Sequence, residues 1–272
     1  MIAQPSFSFR HWLKGSLWRD IFADSLTVFW GDWLDLRVRI TQVVASGLVS
    51  PLIYILAFGL GLGNAMALQP PVGDSYLQFI LPGMVALSSM TISFGGTTFS
   101  ICGERLYSKT FEEILLLPVH PMALFLGKML AGVVRGLMTS ASVILIAVLF
   151  TGKLTFLSPL FLLLLVLNCA VFAGLGVIVG LNVKSLEGVG LLNNFLIVPM
   201  SFLGATFFDP HSLPLVMKVI VYLLPLTYTS TGLRAAAYLP ISEFPWYSIP
   251  VLLIIAIILA AIGAYQFAHQ QD

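Results

Sequence analysis

The chain has 272 residues, of which 58% are hydrophobic and only 9% are charged, and its mean hydropathy is +0.99. A water-soluble globule of this size needs more polar side chains to cover its surface, so the composition excludes an ordinary soluble domain. Thirteen Lys and Arg nearly balance twelve Asp and Glu, and this near-neutral sum gives no reason to expect nucleic-acid binding.

The first charged stretch predicts an amphipathic helix over residues 16–38, because large apolar side chains recur there every three or four residues while Arg and Asp take other directions. The apolar positions are Trp18, Phe22, Leu26, Phe29, Trp33 and Leu36. Trp and Phe suit the headgroup level of a bilayer, so we expect this helix to lie in the membrane interface. A soluble helix packed on the protein's own loops fits the same pattern.

Tracts with few charges predict an all-α polytopic membrane protein, since a helix of about 20 apolar residues crosses the hydrocarbon core. The six predicted spans are 40–63, 77–101, 122–150, 156–182, 188–207 and 246–268. Before the last span, residues 208–240 hold a short apolar tract broken by Pro225, which predicts a re-entrant outer segment. We expect one transmembrane domain over residues 1–272.

The distribution of Lys and Arg predicts the orientation, because cations in short loops are retained in the cytoplasm. Five cations precede the first predicted span, whereas the loop after it has none near Pro70 to Asp74. If successive spans cross the membrane in alternate directions, the same face as the N-terminus holds Arg105, Lys109 and Lys184. We therefore expect both termini in the cytoplasm.

Small and polar residues inside the predicted spans are expected to pack helices. Two glycine pairs have the four-residue spacing that lets helix backbones approach closely: Gly132 with Gly136, and Gly176 with Gly180. Three amides are expected to hydrogen-bond between helices more readily than to bind a substrate: Asn168, Asn193 and Asn194. The two cysteines form no metal-binding or disulfide pattern, so both are expected to be buried and apolar.

The connection between the second and third predicted spans holds the densest cluster of charges in the chain. It predicts a short helix, charged on one side and apolar on the other, which Pro118 and Pro121 terminate. Such a helix is suited to docking a partner, and an ordinary solvated loop fits the same residues equally well.

Three groups of residues resemble ABC-2 type transporter permeases. The first is Glu104-Arg105 through Thr110-Phe111-Glu112-Glu113, followed by Leu117-Pro118-Val119 and Leu126-Gly127-Lys128. The second is the series Phe207-Phe208-Asp209-Pro210, Leu213-Pro214, Leu224-Pro225-Leu226-Thr227 and Leu233-Arg234. The third, Leu81-Pro82-Gly83-Met84, is similar to permeases of the nodulation-factor and daunorubicin-resistance exporter branches. The likeness covers nearly the full chain and specifies the family, not the substrate.

The resemblance implies a permease subunit that works as a homodimer in the bacterial inner membrane and is driven by two separate ABC ATPase subunits. The sequence contains no GxxxxGK[ST] motif, so ATP and Mg are expected in those partners, and no catalytic, cofactor or metal site is expected here. The implied ATPase-coupling residues are Glu104, Arg105, Tyr107, Lys109, Phe111, Glu112 and Glu113. The implied outer gate comprises Phe207, Phe208, Pro210, Pro214, Pro225 and Tyr228, although a fixed plug fits that segment equally.

Arg135 lies inside the third predicted span, where an ionisable side chain is costly unless it is paired, hydrated or snorkelling. It either faces a substrate headgroup, on a pathway with Asn193 and Asn194, or lies near the cytoplasmic interface with its stem along the lipid.

The predicted function is export of an amphipathic or lipid-linked molecule: a glycolipid, polysaccharide, lipo-oligosaccharide or drug. An ion-coupled secondary transporter and a membrane-embedded lipid-modifying enzyme are the alternatives. The first usually needs carboxylates inside the spans, and the second needs convergent His, Asp or Glu side chains. The sequence shows neither pattern clearly, because its acids cluster in connections and its four histidines are scattered.

Overall fold

A computed structural model of the chain describes residues 17–57, 76–116, 118–152, 154–210 and 213–271. Every regular element within these ranges is a helix. Six helical stretches there are long and apolar enough to cross a membrane, and the number rises to seven if one sharply bent pair is a span. The predicted all-α architecture with six spans is confirmed.

Ten α-helices follow one another within the described ranges. They are α1 (Leu17–Tyr54), α2 (Tyr76–Gly103), α3 (Thr110–Leu115), α4 (Pro121–Thr151), α5 (Pro159–Asn182), α6 (Leu186–Leu192), α7 (Val198–Leu203), α8 (Leu215–Leu223), α9 (Pro225–Tyr238) and α10 (Ser248–Gln271). A π-helical turn, Glu104–Ser108, extends α2, and a second one, Asn193–Ile197, joins α6 to α7. Short 3₁₀ turns occupy Leu154–Leu157 and Ile241–Glu243.

Local signals mark the ends of the long helices α4 and α5. Pro121 is the first residue of α4, and the Met122 N–H donates to Nδ1 of His120 at 2.9 Å. Gly152, with φ of 65°, ends the same helix in the left-handed conformation that glycine adopts at little cost. Ser158 caps α5 in the same manner as His120 caps α4.

One continuous helix, α1, covers both the predicted interfacial helix (16–38) and the start of the predicted first span (40–63). The sequence suggested a boundary near residue 39 because charges end there, but the backbone continues as a helix. Arg39 forms an exposed ion pair with Asp35 at 3.4 Å, so these charges are accommodated on the helix surface. The remainder of the predicted span, 58–63, lies outside the described residues.

The core of the bundle is formed by α2, α4 and α5, with α9 and α10 packed around them. Gly176 of α5 lies so close to α2 that an added Cβ would meet the Phe94 carbonyl oxygen at 2.7 Å. Asn168 of α5 donates to the Ala86 carbonyl at 3.1 Å and to Ser89 Oγ at 2.7 Å, both on α2. The predicted packing roles of the glycines and of this amide are thus confirmed, and Cys102 and Cys169 are both buried.

The chain bends sharply between α8 and α9, which meet at 91°. Pro225 begins α9, and its fixed φ suits the first turn of a helix but not its interior. The bend falls in the segment predicted to be re-entrant.

The bundle has two ends, which we call the Glu104 end and the Phe207 end. The Glu104 end holds the first residues of α1, α4 and α6 and the last residues of α2, α5 and α10; the Phe207 end is the opposite side.

Candidate functional site

Three helices meet at a charged junction formed by Asp32, Glu104 and Lys128. The Lys128 ammonium is only 3% exposed, and its Nζ lies 2.7 Å from Asp32 Oδ1 and 2.7 Å from both Glu104 carboxylate oxygens. Asp32 belongs to α1, Glu104 follows α2, and Lys128 lies in α4. The neighbouring Gly127 permits this contact, since a Cβ there would clash with the Val28 side chain of α1 at 2.6 Å.

The charges of the junction stabilise one another because they are largely removed from water. One ammonium donates to two carboxylates, and hydrogen bonds between ionised groups are stronger than neutral ones. Ser100 Oγ adds a longer hydrogen bond to Glu104 at 3.4 Å. Breaking such a pair by removing one partner leaves an uncompensated buried charge, so the junction holds α1, α2 and α4 together at the Glu104 end.

The segment after Glu104 is anchored to α5 and α10 by Arg105 and Phe111. The Arg105 Nη1 donates to the Gly180 carbonyl at 2.9 Å and to the Val183 carbonyl at 3.2 Å, at the end of α5, where carbonyl groups lack helical partners. The guanidinium lies 5.7 Å from the centroid of the Phe111 ring, which is buried 6.0 Å from the ring of Phe267.

The predicted coupling helix consists of two short pieces. The π-helical turn Glu104–Ser108 is separated from α3 by Lys109, whose φ of 57° interrupts the helix. The seven predicted coupling residues therefore divide into two groups. Glu104, Arg105 and Phe111 make the internal contacts described above, whereas four side chains are exposed: Tyr107, Lys109, Glu112 and Glu113.

Two connected cavities lie beside the junction. The lower cavity, of about 690 Å³, lies among α1, the end of α2, α3 and α4, and contains the three junction residues in its wall. The upper cavity, of about 430 Å³, continues along α1 and α2 towards Asn193. The two share five lining residues: Asp35, Arg39, Phe99, Ser100 and Arg135.

The structure places two of the three predicted pathway residues in one wall. Arg135 and Asn193 both line the upper cavity, whereas Asn194 is exposed and lines neither cavity. Arg135 is 7% exposed; its Nη1 donates to the Gly96 carbonyl and its Nη2 to Ser100 Oγ at 3.3 Å, both on α2. Its stem is therefore covered by protein and does not lie along the lipid.

The predicted outer-gate residues contribute to two aromatic clusters at the Phe207 end. The Phe207 ring lies 5.5 Å from that of Tyr54 and 5.9 Å from that of Phe202. The Tyr228 ring lies 6.1 Å from that of Tyr247. The other predicted gate residues differ in setting: Phe208 is half-buried, Pro210 is buried, Pro214 precedes α8 and Pro225 begins α9.

Arg234 of α9 fastens this end of the bundle. It is 5% exposed, and its Nε donates to the Phe79 carbonyl at 3.1 Å while its Nη2 donates to the Ala205 carbonyl at 2.9 Å. The guanidinium also lies 3.7 Å from the centroid of the Phe79 ring, a cation–π distance. Arg234 thus joins α9, the start of α2 and the turn after α7.

Sequence reasoning did not assign a role to Lys128, Asp32 or Arg234, although each is a charge within or beside an apolar tract. A buried charge requires a partner, so such positions predict ion pairs or carbonyl contacts even where the partner is unknown. Within the described residues, no group of three His, Cys, Asp or Glu is placed to hold a metal ion.

The apolar crossings define a polytopic membrane protein, with cavities beside a charged junction. The chain belongs to the ABC-2 type transporter family, whose model matches residues 25–238. It is 28% identical over 211 residues to the inner membrane transport permease YadH of Escherichia coli (strain K12), covering 76% of this chain and 81% of that protein. It is 30% identical over 188 residues to nodulation protein J of Rhizobium leguminosarum bv. trifolii, covering 69% and 71%.

Proposed function

We propose that this chain is the transmembrane permease subunit of an ATP-driven exporter of amphipathic or lipid-linked molecules. In this proposal two separate ABC ATPase subunits hold ATP and Mg, and a second copy of the chain completes the transporter in the bacterial inner membrane. Membership of the ABC-2 type transporter family supports the class, as do relatives that carry the names of a transport permease and a nodulation protein.

The observation that carries the proposal is an exposed segment that is rigidly anchored from within. Tyr107 is 70% exposed, and Glu112 and Glu113 are exposed beside it, while Arg105 and Phe111 hold the same segment to α5 and α10. A partner that moves this surface therefore moves helices of the bundle with it. Transport needs such a connection because ATP is hydrolysed in another chain. That chain can shift the permease between two conformations only if its contacts with the two differ.

The orientation follows from the charges at the Glu104 end. Arg39, Arg105, Lys109, Lys128 and Lys184 all belong to this side of the bundle. Cations near the ends of spans are retained in the cytoplasm, so this end faces the ATPase subunits. The beginning of α1 and the end of α10 lie on the same side of the bundle, which supports the proposal of two cytoplasmic termini.

The cavities supply a route between α1 and α2 for the exported molecule. A third cavity, of about 170 Å³, shares Ser46, Thr91, Ile92 and Asn193 with the upper cavity and reaches Tyr54 towards the Phe207 end. The series combines polar and apolar walls, which suits an amphipathic substrate better than a small hydrated ion.

The test is charge reversal on the exposed face, with Glu112→Lys and Glu113→Lys combined. The permease is co-expressed with an ABC ATPase subunit of the same genome, purified, and assayed for complex formation and for ATPase activity in liposomes. We expect loss of at least 90% of permease-dependent ATPase activity, in line with the roughly 2–5 kcal/mol lost when charged interface pairs are disrupted. Membrane insertion stays unchanged because both side chains are exposed.

The matched control is Glu243→Lys, an exposed acid in the turn Ile241–Glu243 at the Phe207 end. This variant is expected to retain wild-type coupling. Equal ATPase activity in the double variant and the control would refute the proposed docking role. Transport by the purified chain without any ATPase subunit would refute the proposed class.

An ion-coupled carrier is the second candidate, and one observation favours it: the charged junction places two carboxylates and an ammonium within a membrane-crossing bundle. Ionisable clusters of this kind serve proton relays in secondary transporters. The two candidates differ in energy source, so substrate uptake into inverted vesicles decides between them. An ATPase-driven exporter needs ATP after the proton gradient is collapsed by an ionophore, whereas a carrier needs the gradient and not ATP.

A further inference from the structure

The upper cavity contains a buried arginine that forms no ion pair with a described carboxylate, although Asp32, Glu104 and Asp35 lie near enough to attract its charge. Every described carboxylate lies more than 4.0 Å from the Arg135 guanidinium. A guanidinium has five N–H donors, and the contacts of Arg135 with Gly96 and Ser100 use two of them. The side chain therefore retains N–H donors beside a cavity in which a ligand can bind.

The charges that line the upper cavity sum to +1. They are Asp35, Arg39 and Arg135, and the first two form an ion pair with each other at 3.4 Å. The lower cavity is different, because it adds Asp24, Asp32 and Glu104 to the acids and only Lys128 to the cations. A negative headgroup is thus favoured in the upper cavity and disfavoured in the lower one.

The other walls of the upper cavity fit a molecule with an apolar part. Its lining includes Leu36 and Val43 of α1 together with Ile92 and Phe99 of α2. The third cavity continues this lining with Pro51, Leu87 and Ile197. A headgroup held at Arg135 would leave a hydrocarbon chain directed along α1 and α2 within the membrane.

We propose that Arg135 binds the phosphate-type anionic headgroup of an amphiphile in the upper cavity, with its apolar chain lying between α1 and α2. Arginine suits this role because its planar fork donates two parallel hydrogen bonds to a phosphate, which lysine does not. The inference deepens the proposed export function by naming a substrate class. It rests on that function only for the direction of transport, because binding requires no ATPase subunit.

The test uses a cysteine introduced at Gly95, which lines the upper cavity and has nothing within 4 Å of an added Cβ. Cys102 and Cys169 are 0% exposed, so a maleimide should label the Gly95→Cys protein chiefly at the new thiol. The full chain is labelled in neutral maltoside micelles with added dodecyl phosphate. We expect dodecyl phosphate to slow labelling in a saturable manner.

Two probes separate the sources of binding. Inorganic phosphate shares the headgroup but lacks the chain, and dodecyltrimethylammonium shares the chain but reverses the charge. The proposal expects protection by dodecyl phosphate at a concentration at least about tenfold lower than by either probe, the scale of one charged hydrogen bond. If inorganic phosphate protects the thiol as well as dodecyl phosphate does, the ligand need not be an amphiphile and the proposal is overturned. If dodecyltrimethylammonium protects as well, the site does not select an anionic headgroup and the proposal is overturned.

The role of Arg135 in binding the headgroup is tested with the substitutions Arg135→Gln and Arg135→Lys, each made in the Gly95→Cys protein. We expect about tenfold or greater weakening of dodecyl phosphate protection for the glutamine variant and an intermediate effect for lysine, which keeps the charge without the fork. Arg37→Gln is the matched control, because Arg37 is an exposed arginine of α1 that lines neither cavity. Unchanged protection in Arg135→Gln overturns the assignment. If the Arg135→Gln variant does not fold, the comparison of dodecyl phosphate, inorganic phosphate and dodecyltrimethylammonium on the Gly95→Cys protein still tests the anionic amphiphile site.

Discussion

Replacing Lys128 by Met should destabilise the chain more than any substitution of an exposed cation. The variant removes the ammonium that contacts both Asp32 and Glu104, whose side chains are 11% and 18% exposed. Removing one partner of a buried pair costs about 3–5 kcal/mol, because the charge left behind is poorly solvated. Since both carboxylates retain some contact with water, we expect the lower part of this range, about 3 kcal/mol.

A variant without charged groups at the junction should be nearly as stable as the wild type. In the triple variant Asp32→Asn, Glu104→Gln and Lys128→Met no ionised group remains at the junction, so the desolvation cost disappears together with the attraction. We expect the triple variant to recover most of the loss and to lie within about 1 kcal/mol of the wild type.

The free energy of unfolding is measured in mixed maltoside and dodecyl sulfate micelles, with circular dichroism as the signal. Lys184→Met removes an exposed cation from the same end and is expected to change the free energy of unfolding by less than about 0.5 kcal/mol. Two results would refute the reasoning: a Lys128→Met protein as stable as Lys184→Met, or a triple variant no more stable than the single one.

Two further predictions concern packing and pH. Gly176→Ala should lower the free energy of unfolding by about 1–3 kcal/mol, because its Cβ meets the Phe94 carbonyl, whereas Gly190→Ala, in open space, should change it by no more than about 1 kcal/mol. Burial lowers the pKa of His120 below its usual 6.5, and the neutral ring accepts the Met122 N–H. The neutral ring therefore contributes fully to the free energy of unfolding above the pKa of His120 in the unfolded chain. The contribution is lost as the pH falls from that pKa towards the lower pKa of the folded state. His120→Asn keeps a capping oxygen and should flatten the stability profile between about pH 8 and pH 5, measured by thermal unfolding; an unchanged profile would contradict the role of the ring.

The membrane-crossing helices could be located from sequence because their signal is local. Tracts with few charges predict spans over 122–150 and 156–182, and the structure has α4 over Pro121–Thr151 and α5 over Pro159–Asn182. The continuity of α1 could not be predicted in the same way. Charged residues mark where a chain leaves lipid, but they do not mark where a helix stops, since an exposed ion pair such as Asp35 with Arg39 fits its surface.

The candidate site could be predicted only in part. The charged connection after α2 was evident, yet the direction of each side chain depends on tertiary contacts. Glu104 turns towards Lys128 and Asp32, which lie 24 and 72 positions away in the sequence, and Lys109 interrupts the helix that the apolar spacing suggested. A pattern along one segment cannot specify a contact among three segments, so the junction became visible only with the fold.

Helix α2 is held by a basic side chain close to each of its ends. Lys128 contacts the carboxylate just beyond its last turn, and Arg234 contacts the Phe79 carbonyl in its first. Its 28 residues span about 42 Å at 1.5 Å per residue, so these attachment points lie on opposite sides of a bilayer core. A displacement at one attachment is transmitted to the other through one continuous helix, in which Pro82 lacks the N–H that would donate to the preceding turn.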